Sequence, residues 1–393
     1  MVRECYCSPP ENRLQLSFHA KNGTKPGNAT RLRLSKPEQV LHDRSASLRF
    51  SKLGARMKSI PLLRRVTIVP AISYLGAEGV PVHKYLRSAG LSVPSPEDLE
   101  TLVPLHQVSG FLSSVARGEG INDLGFRVGG HQGTECLGLF GSLLAQALTI
   151  HETIEISTAM VSSYNSGVHV WTERHGDQVR YCHKYAECLS RDRTTEIEHL
   201  AFAIALANCG YGRGARWQLT RIDLATDPIE LSAYYPALAE VPVYFNQPHT
   251  ALWCHQSVLS APLRPLGVAD HPGVDEDQQN CYARSGPAAN PIGQLEQAIE
   301  SILGHPDMSL QLAATIIGTS PRTLQRRLAE DRTSFSRTLQ AVRFPNARHL
   351  LQDPEMPTKE ISQRLGYTDP ANFMRAFKRW TGVSPNEFRR LHH

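Results

Sequence analysis

Long apolar runs are missing from this chain. The most hydrophobic stretch, 137–150, is too short to span a bilayer and carries Ser142 and Gln146, and the N-terminus lacks the apolar run of a secretory signal. No membrane segment is expected. Cysteine is present but poorly spaced for chemistry: the eight residues at 5, 7, 136, 182, 188, 209, 254 and 281 form no CxxC pair. Neither a zinc site nor a disulfide framework is expected, and reduced thiols in a cytoplasmic protein are the reading that remains. A glycine-rich phosphate loop, a nucleophile elbow and a helical His-x-x-x-His pair are also absent. The chain therefore reads as a non-enzyme without metal or cofactor.

What is present is length for two or three domains and an uneven charge. With 393 residues, 41% of them hydrophobic, and a net charge of only +5, the chain can build proper cores. Residues 1–65 hold 14 Lys and Arg against 4 Asp and Glu, residues 66–291 hold 14 against 23, and residues 292–393 hold 14 against 10. An acidic middle is a poor surface for nucleic acid, whereas a basic C-terminal part has the sign that phosphates need. Residues 1–58 are rich in Arg, Lys, Ser, Asn and Pro without periodicity, so a disordered basic extension is expected. Translation from Met57 would give a chain that lacks it. A second polar stretch, rich in Pro, Gly, Asp and Gln, runs from 262 to 291 and reads as an interdomain linker, set at 267–291.

Two C-terminal segments share one plan. Ser320-Pro321 and Asp369-Pro370 each offer a capping side chain followed by proline at the first helical position. Leu324 and Leu328, or Phe373 and Phe377, then stand four residues apart on an inward face. Arg326 and Arg375 lie midway between them, about 160–200° round the helix and so outward. A two-turn amphipathic helix ending in glycine precedes each, 310–317 before Gly318 and 359–365 before Gly366. Helix, glycine turn, then a helix with an arginine-bearing outer face is the plan of a helix-turn-helix DNA reader. Helical hairpins with glycine turns are common as plain packing, but two copies with matching caps favour readers.

At these residues the sequence resembles the AraC/XylS family of bacterial transcription regulators. The likeness runs from about 293 to 390 and includes Ser320-Pro321, Leu324-Gln325-Arg326, Gly366-Tyr367, Phe373, Arg375, Phe377-Lys378 and the run Thr381-Gly382-Val383-Ser384-Pro385. The resemblance implies two readers joined by one long helix and entering successive major grooves. It implies base-reading roles for Arg322, Thr323, Gln325 and Arg326 in the first unit and for Ala371, Asn372 and Arg375 in the second. Arginine pairs with guanine and Asn or Gln with adenine, while Ala371 offers only a methyl contact. Thr319, Ser320, Arg327, Lys378 and Arg379 are expected on phosphates, which hold register. Pro345 falls within the expected joining helix, 334–351, and should bend or split it.

Residues 59–266 read as mixed α and β. Helices are expected over 71–86, with kinks at Gly76 and Gly79, and over 104–115, 137–148 and 196–209. Strands 168–174 and 178–185 flank the turn signal His175-Gly176-Asp177, and others lie near 217–224 and 250–256. This part resembles the N-terminal domain of the AraC subgroup that includes regulators of ornithine use, through segments 85–91, 138–148 and 243–263. The resemblance implies sensing of an unidentified small molecule, or dimerisation. Trp171, Tyr181, His183, Tyr185 and Trp253 are the candidate effector groups, with 181, 183 and 185 on one strand face; core packing is the competing role for each.

The expected architecture is multidomain: an α+β effector or dimerisation domain at 59–266, followed by an all-α double helix-turn-helix domain at 292–393. The expected partners are double-stranded operator DNA, RNA polymerase, an effector and a second copy of the chain. Two rivals are an effector-independent architectural DNA binder and a DNA-repair alkyltransferase, which would need an activated cysteine and a zinc-bound cluster.

Overall fold

Strand β1, Leu62–Arg64, pairs antiparallel with β2, Leu102–Pro104, and from this short ribbon the chain builds in two directions. The computed structural model describes residues 57–130, 137–186, 189–208, 219–263, 274–305 and 307–392. The basic extension expected at 1–58 lies outside the described residues except at its last two positions, where Met57 is buried.

Helices α1, Val69–Ala77, and α2, Val82–Ser88, replace the single helix expected over 71–86. Gly79 takes a φ of +75° between them, so the chain turns there instead of kinking. Four further helices follow: α3, Leu105–Glu119; α4, Leu124–Gly130; α5, Leu139–Ala145; and α6, Ile150–Tyr164. Thr149 caps α6, accepting from Glu152 N. Sequence reading missed α6, although Thr149 and Glu152 stand at capping-box spacing at its start, because its outer face is polar.

Strands β3, Val168–His175, and β4, Gln178–Tyr185, form the expected hairpin. The turn has Gly176 at φ +63° as its first central residue, which suits a two-residue connection. Helix α7, Arg191–Asn208, comes next, followed by β5, Leu219–Asp223, β6, Val243–Tyr244, and β7, Thr250–His255. The sheet order is β3-β4-β7-β5-β6, with β5 and β6 parallel. Helices α6 and α7 cover one face, and α4 lies tightly on α7. A Cβ on Gly125 would fall 2.1 Å from the Glu196 carbonyl, so only glycine permits that approach.

The stretch expected as linker contains helix α8, Glu276–Arg284. Asp275 and Gln278 close a reciprocal capping box at its start. Tyr282, though set in polar sequence, is buried under the Arg64 guanidinium, 4.5 Å from ring centroid to Cζ. Arg64 itself is buried. It donates to the carbonyls of Ser163, Glu100 and Tyr282 and to the Ser285 hydroxyl at 2.7–3.2 Å.

The C-terminal part is helical: α9, Pro291–Glu300; α10, Leu310–Ile316; α11, Pro321–Glu330; α12, Phe335–Leu350; α13, Thr358–Arg364; α14, Pro370–Thr381; and α15, Pro385–His392. Pro345 does not split α12, which continues through it as one helix. The neighbouring Asn346 amide donates to the Val342 carbonyl at 3.0 Å and to Glu300 at 2.8 Å, tying the proline turn to itself and to α9. Met57, Ile60, Leu62 and Leu102 belong to the same apolar cluster as Leu295, Ile299, Ile316 and Leu324, so the two domains share a core. No helix among the described residues is long and apolar enough to cross a membrane.

Among the described residues the buried Tyr282 hydroxyl has no well-formed hydrogen-bond partner, and the Arg64 guanidinium stacked on its ring lies near. Tyr282→Phe should therefore be neutral or slightly stabilising, whereas Tyr282→Ala should lose about 3–5 kcal/mol through the cavity it leaves. Urea denaturation of the two variants beside the wild type tests this, and equal losses would contradict it.

Candidate nucleic-acid interface

The first unit is set by its caps and glycine. Ser309 accepts from Leu312 N at the start of α10, and Gly318, at φ +72°, turns the chain. Ser320 then accepts from Thr323 N at the start of α11, with Pro321 in the first turn. Leu324 and Leu328 are each 1% exposed, so the face they fix inward leaves Arg322, Gln325 and Arg326 in solvent. Arg326 Nη1 donates to Glu330 Oε1 at 2.8 Å, one turn along. Thr319 and Thr323 are half-buried at the lip, and Ser320 is exposed.

The second unit repeats this. Gly366 has φ +67°, and Asp369 accepts from Ala371 N to start α14. Phe373 and Phe377 are fully buried. Asn372, Arg375, Lys378 and Arg379 are exposed, and Ala371 is half-buried. Arg375 Nη2 donates to Asn372 Oδ1 at 2.5 Å, so two expected readers form one hydrogen-bonded pair. Two exposed arginine-bearing faces thus stand on a buried scaffold that ties them together.

Arg327 differs from the others expected on phosphates. It is half-buried, lines a cleft between the two domains, and its Nε has no hydrogen-bond partner among the described residues. Sequence reasoning also missed Arg343 on α12. Its Nε and Nη2 donate to the carbonyls of Leu365 and Gly366 at 2.9 and 2.8 Å, and its guanidinium stacks 4.0 Å from the Tyr367 ring. It thereby caps the C-terminal end of α13 and fixes the turn into the second reader. Gly366-Tyr367 downstream was the only available hint.

The five candidate effector groups divide between the two faces of the sheet. Tyr181, His183 and Tyr185 point toward α6 and α7 and line a cavity of about 60 Å³. Their polar atoms are engaged: Tyr181 with the Ser157 hydroxyl at 2.7 Å, His183 with Glu198 at 2.9 Å, and Tyr185 with the Asn165 amide at 3.5 Å. Burial pushes the Tyr185 hydroxyl well above its ordinary range. Trp171 and Trp253 lie on the opposite face, where their indole N–H groups donate to Glu173 and Asp223, both at 2.7 Å. Arg180 pairs with Glu173 and stacks on Trp253.

On that same face Glu173, Cys182 and His249 bring possible ligand atoms within 4.8 Å of one another. Burial pushes the Cys182 thiol up to about 12, and Glu173 already carries the Arg180 guanidinium, so the set is poorly matched to a cation.

Comparison with known proteins supports both halves. The family described as helix-turn-helix domain matches residues 313–391, and the arabinose-binding domain of AraC transcription regulators, N-terminal, matches residues 79–263. The chain is 31% identical over 179 residues to the ornithine utilization regulator of Pseudomonas aeruginosa, covering 45% of this chain and 52% of that protein. It is 38% identical over 105 residues to the HTH-type transcriptional regulator VqsM of the same organism, covering 26% of this chain and 32% of that one. The chain thus spans about half the length of the first of these relatives and a third of the second. The crystal structure of the transcriptional regulator CdpR from Pseudomonas aeruginosa aligns over 79% of this chain and 96% of that one, at 22% identity and a TM-score of 0.35.

The Glu173 carboxyl, held by the Trp171 indole and the Arg180 guanidinium, titrates at about 2 instead of 4.5. A depressed folded-state value contributes stability that is complete above 4.5 and lost as pH falls toward 2. Glu173→Gln should flatten the loss of stability across that window, read from urea midpoints at its two ends. A variant that loses as much as the wild type would refute the assignment.

Proposed function

Because the chain belongs to the AraC family of transcription regulators, carrying that family's N-terminal domain type and a helix-turn-helix domain, we propose that it is a sequence-specific DNA-binding regulator controlled by a small-molecule effector. The observation that carries the reading is the pair of exposed faces, Arg322, Gln325 and Arg326 on α11 and Asn372 and Arg375 on α14. Each stands opposite a buried apolar pair. Side chains held outward from a rigid scaffold and ending in planar donor groups suit base edges in the major groove. Thr323 and Ala371 flank them at the groove wall, and Thr319, Ser320, Lys378 and Arg379 are assigned to phosphates. The partners of this reading are double-stranded operator DNA and RNA polymerase, with a second copy of the chain through the N-terminal domain.

The alkyltransferase rival needs an activated thiolate. Burial instead raises the thiols of Cys182 and Cys254 to about 12 and about 11, which argues against these two as the acceptor. No catalytic or cofactor role is assigned. The architectural rival differs in having no effector, and a metabolite screen that raises the melting temperature of the full chain separates the two.

Selection of bound fragments from a random DNA pool supplies the operator. Arg326→Ala and Arg375→Ala should then each cost about 1–3 kcal/mol of specific binding while the melting temperature holds. Leu324→Ala and Phe373→Ala should instead lower stability by about 2–5 kcal/mol. Arginine variants that melt early but bind operator normally would reverse the assignment of faces.

A further inference from the structure

Where the N-terminal domain rests on the first reader it leaves a cleft of about 310 Å³, within the range that small-molecule sites occupy. One wall is residues 57–61 and the start of α3; the other is the reader's own turn, Ile317 to Thr319, with Leu324 and Arg327 of α11. Both domains therefore contribute, and the second contributes the turn that aims α11.

The charge in this cleft is of one sign. Lys58 and Arg327 line it, and among the described residues no carboxylate does. The Arg327 Nε is shut off from water without a hydrogen-bond partner among the described residues. The Nε atoms of Arg65 and Arg389 share that state, so what sets Arg327 apart is its place in the cleft lining beside Lys58. His106 adds a further donor. Its Nε2 receives a hydrogen bond from Arg193 Nη1 at 2.9 Å, which leaves the proton on Nδ1. That Nδ1 edge lies 2.6 Å from where a Cβ on Gly318 would stand, so the ring packs directly on the reader's turn. The remaining wall is apolar, built from Ile60, Leu105, Leu189 and Ile317 among others.

We propose that this cleft binds a compact organic anion, its carboxylate held by Arg327 and Lys58 and its apolar body against Ile60, Leu105 and Ile317. Arg327 then serves the effector and not the DNA backbone. The proposal deepens the regulatory reading above, because a ligand bridging Lys58 and Arg327 ties the N-terminal domain to the turn that orients the first reader. Its affinity and that of DNA are then linked reciprocally.

The test is calorimetric titration of the full chain with cyclohexanecarboxylate, cyclohexylamine and cyclohexanol, three probes of one shape and different charge. The carboxylate should bind, the amine should not, and the alcohol should be weaker than the carboxylate. Arg327→Gln keeps the apolar stem and should weaken carboxylate binding about tenfold or more while leaving the melting temperature unchanged. Lys58→Gln, at the exposed rim, should weaken it less. Equal heats from carboxylate and amine, no heat from any probe, or undiminished carboxylate binding by Arg327→Gln would each overturn the site. Loss of operator binding by Arg327→Gln in the absence of any carboxylate would return Arg327 to the phosphates and overturn it as well. Failure of the wild type to select DNA from a random pool would count against the regulatory reading alone, leaving the titration to decide the site.

Discussion

A single buried guanidinium holds the middle of this molecule together. Arg64 closes strand β1, and a charge so far from water is tolerable because carbonyls and a hydroxyl receive its donors and the Glu100 carboxylate lies 3.8 Å from its Nε. Those acceptors come from the end of α6, the segment before β2 and the end of α8. Its neighbours in sequence reach elsewhere. Leu62 lies in the apolar cluster of the reader domain and Leu63 in that of the N-terminal domain, while Arg65 donates to the Ser301 carbonyl beyond α9. Four consecutive residues thus fix the N-terminal helices, the segment between domains and the first helix of the reader in one arrangement.

Much of the reader was legible in the sequence because its signals are local. A cap followed by proline, apolar residues four apart and a glycine at the turn all act within two helical turns, and each appears in the fold where the pattern put it. The β3-β4 hairpin was legible for the same reason. What escaped depends on distant partners. Helix α8 is polar by composition and ordered by a capping box together with one buried ring, whose cover, Arg64, lies 218 residues away. The division of the five effector candidates followed only in part from strand alternation: it put Tyr181, His183 and Tyr185 together, but the placement of Trp171 and Trp253 needed the register of β3 and β7 against β4.

Two arginines show the same limit. By helix position Arg327 and Arg326 are adjacent, and nothing in the local pattern separates a phosphate contact from a side chain turned into an interdomain cleft. Arg343 reads as an ordinary charged residue on a long helix until Gly366 and Tyr367 are brought beneath it. Pro345 is the converse case. The local rule gives a cost of about 3 kcal/mol for an interior proline, yet the rule alone does not say whether the helix breaks, and α12 stays whole.

The shared core also bears on how the two domains can be studied apart. A fragment starting at 292 would leave behind Ile60, Leu62 and Leu102, which cover part of the reader's apolar interior. Such a fragment would present to water an oily window that the intact chain keeps shut, and would tend to stick to itself. In the intact chain that window has a built-in shutter, and the N-terminal domain is also part of the wall of the helix-turn-helix domain.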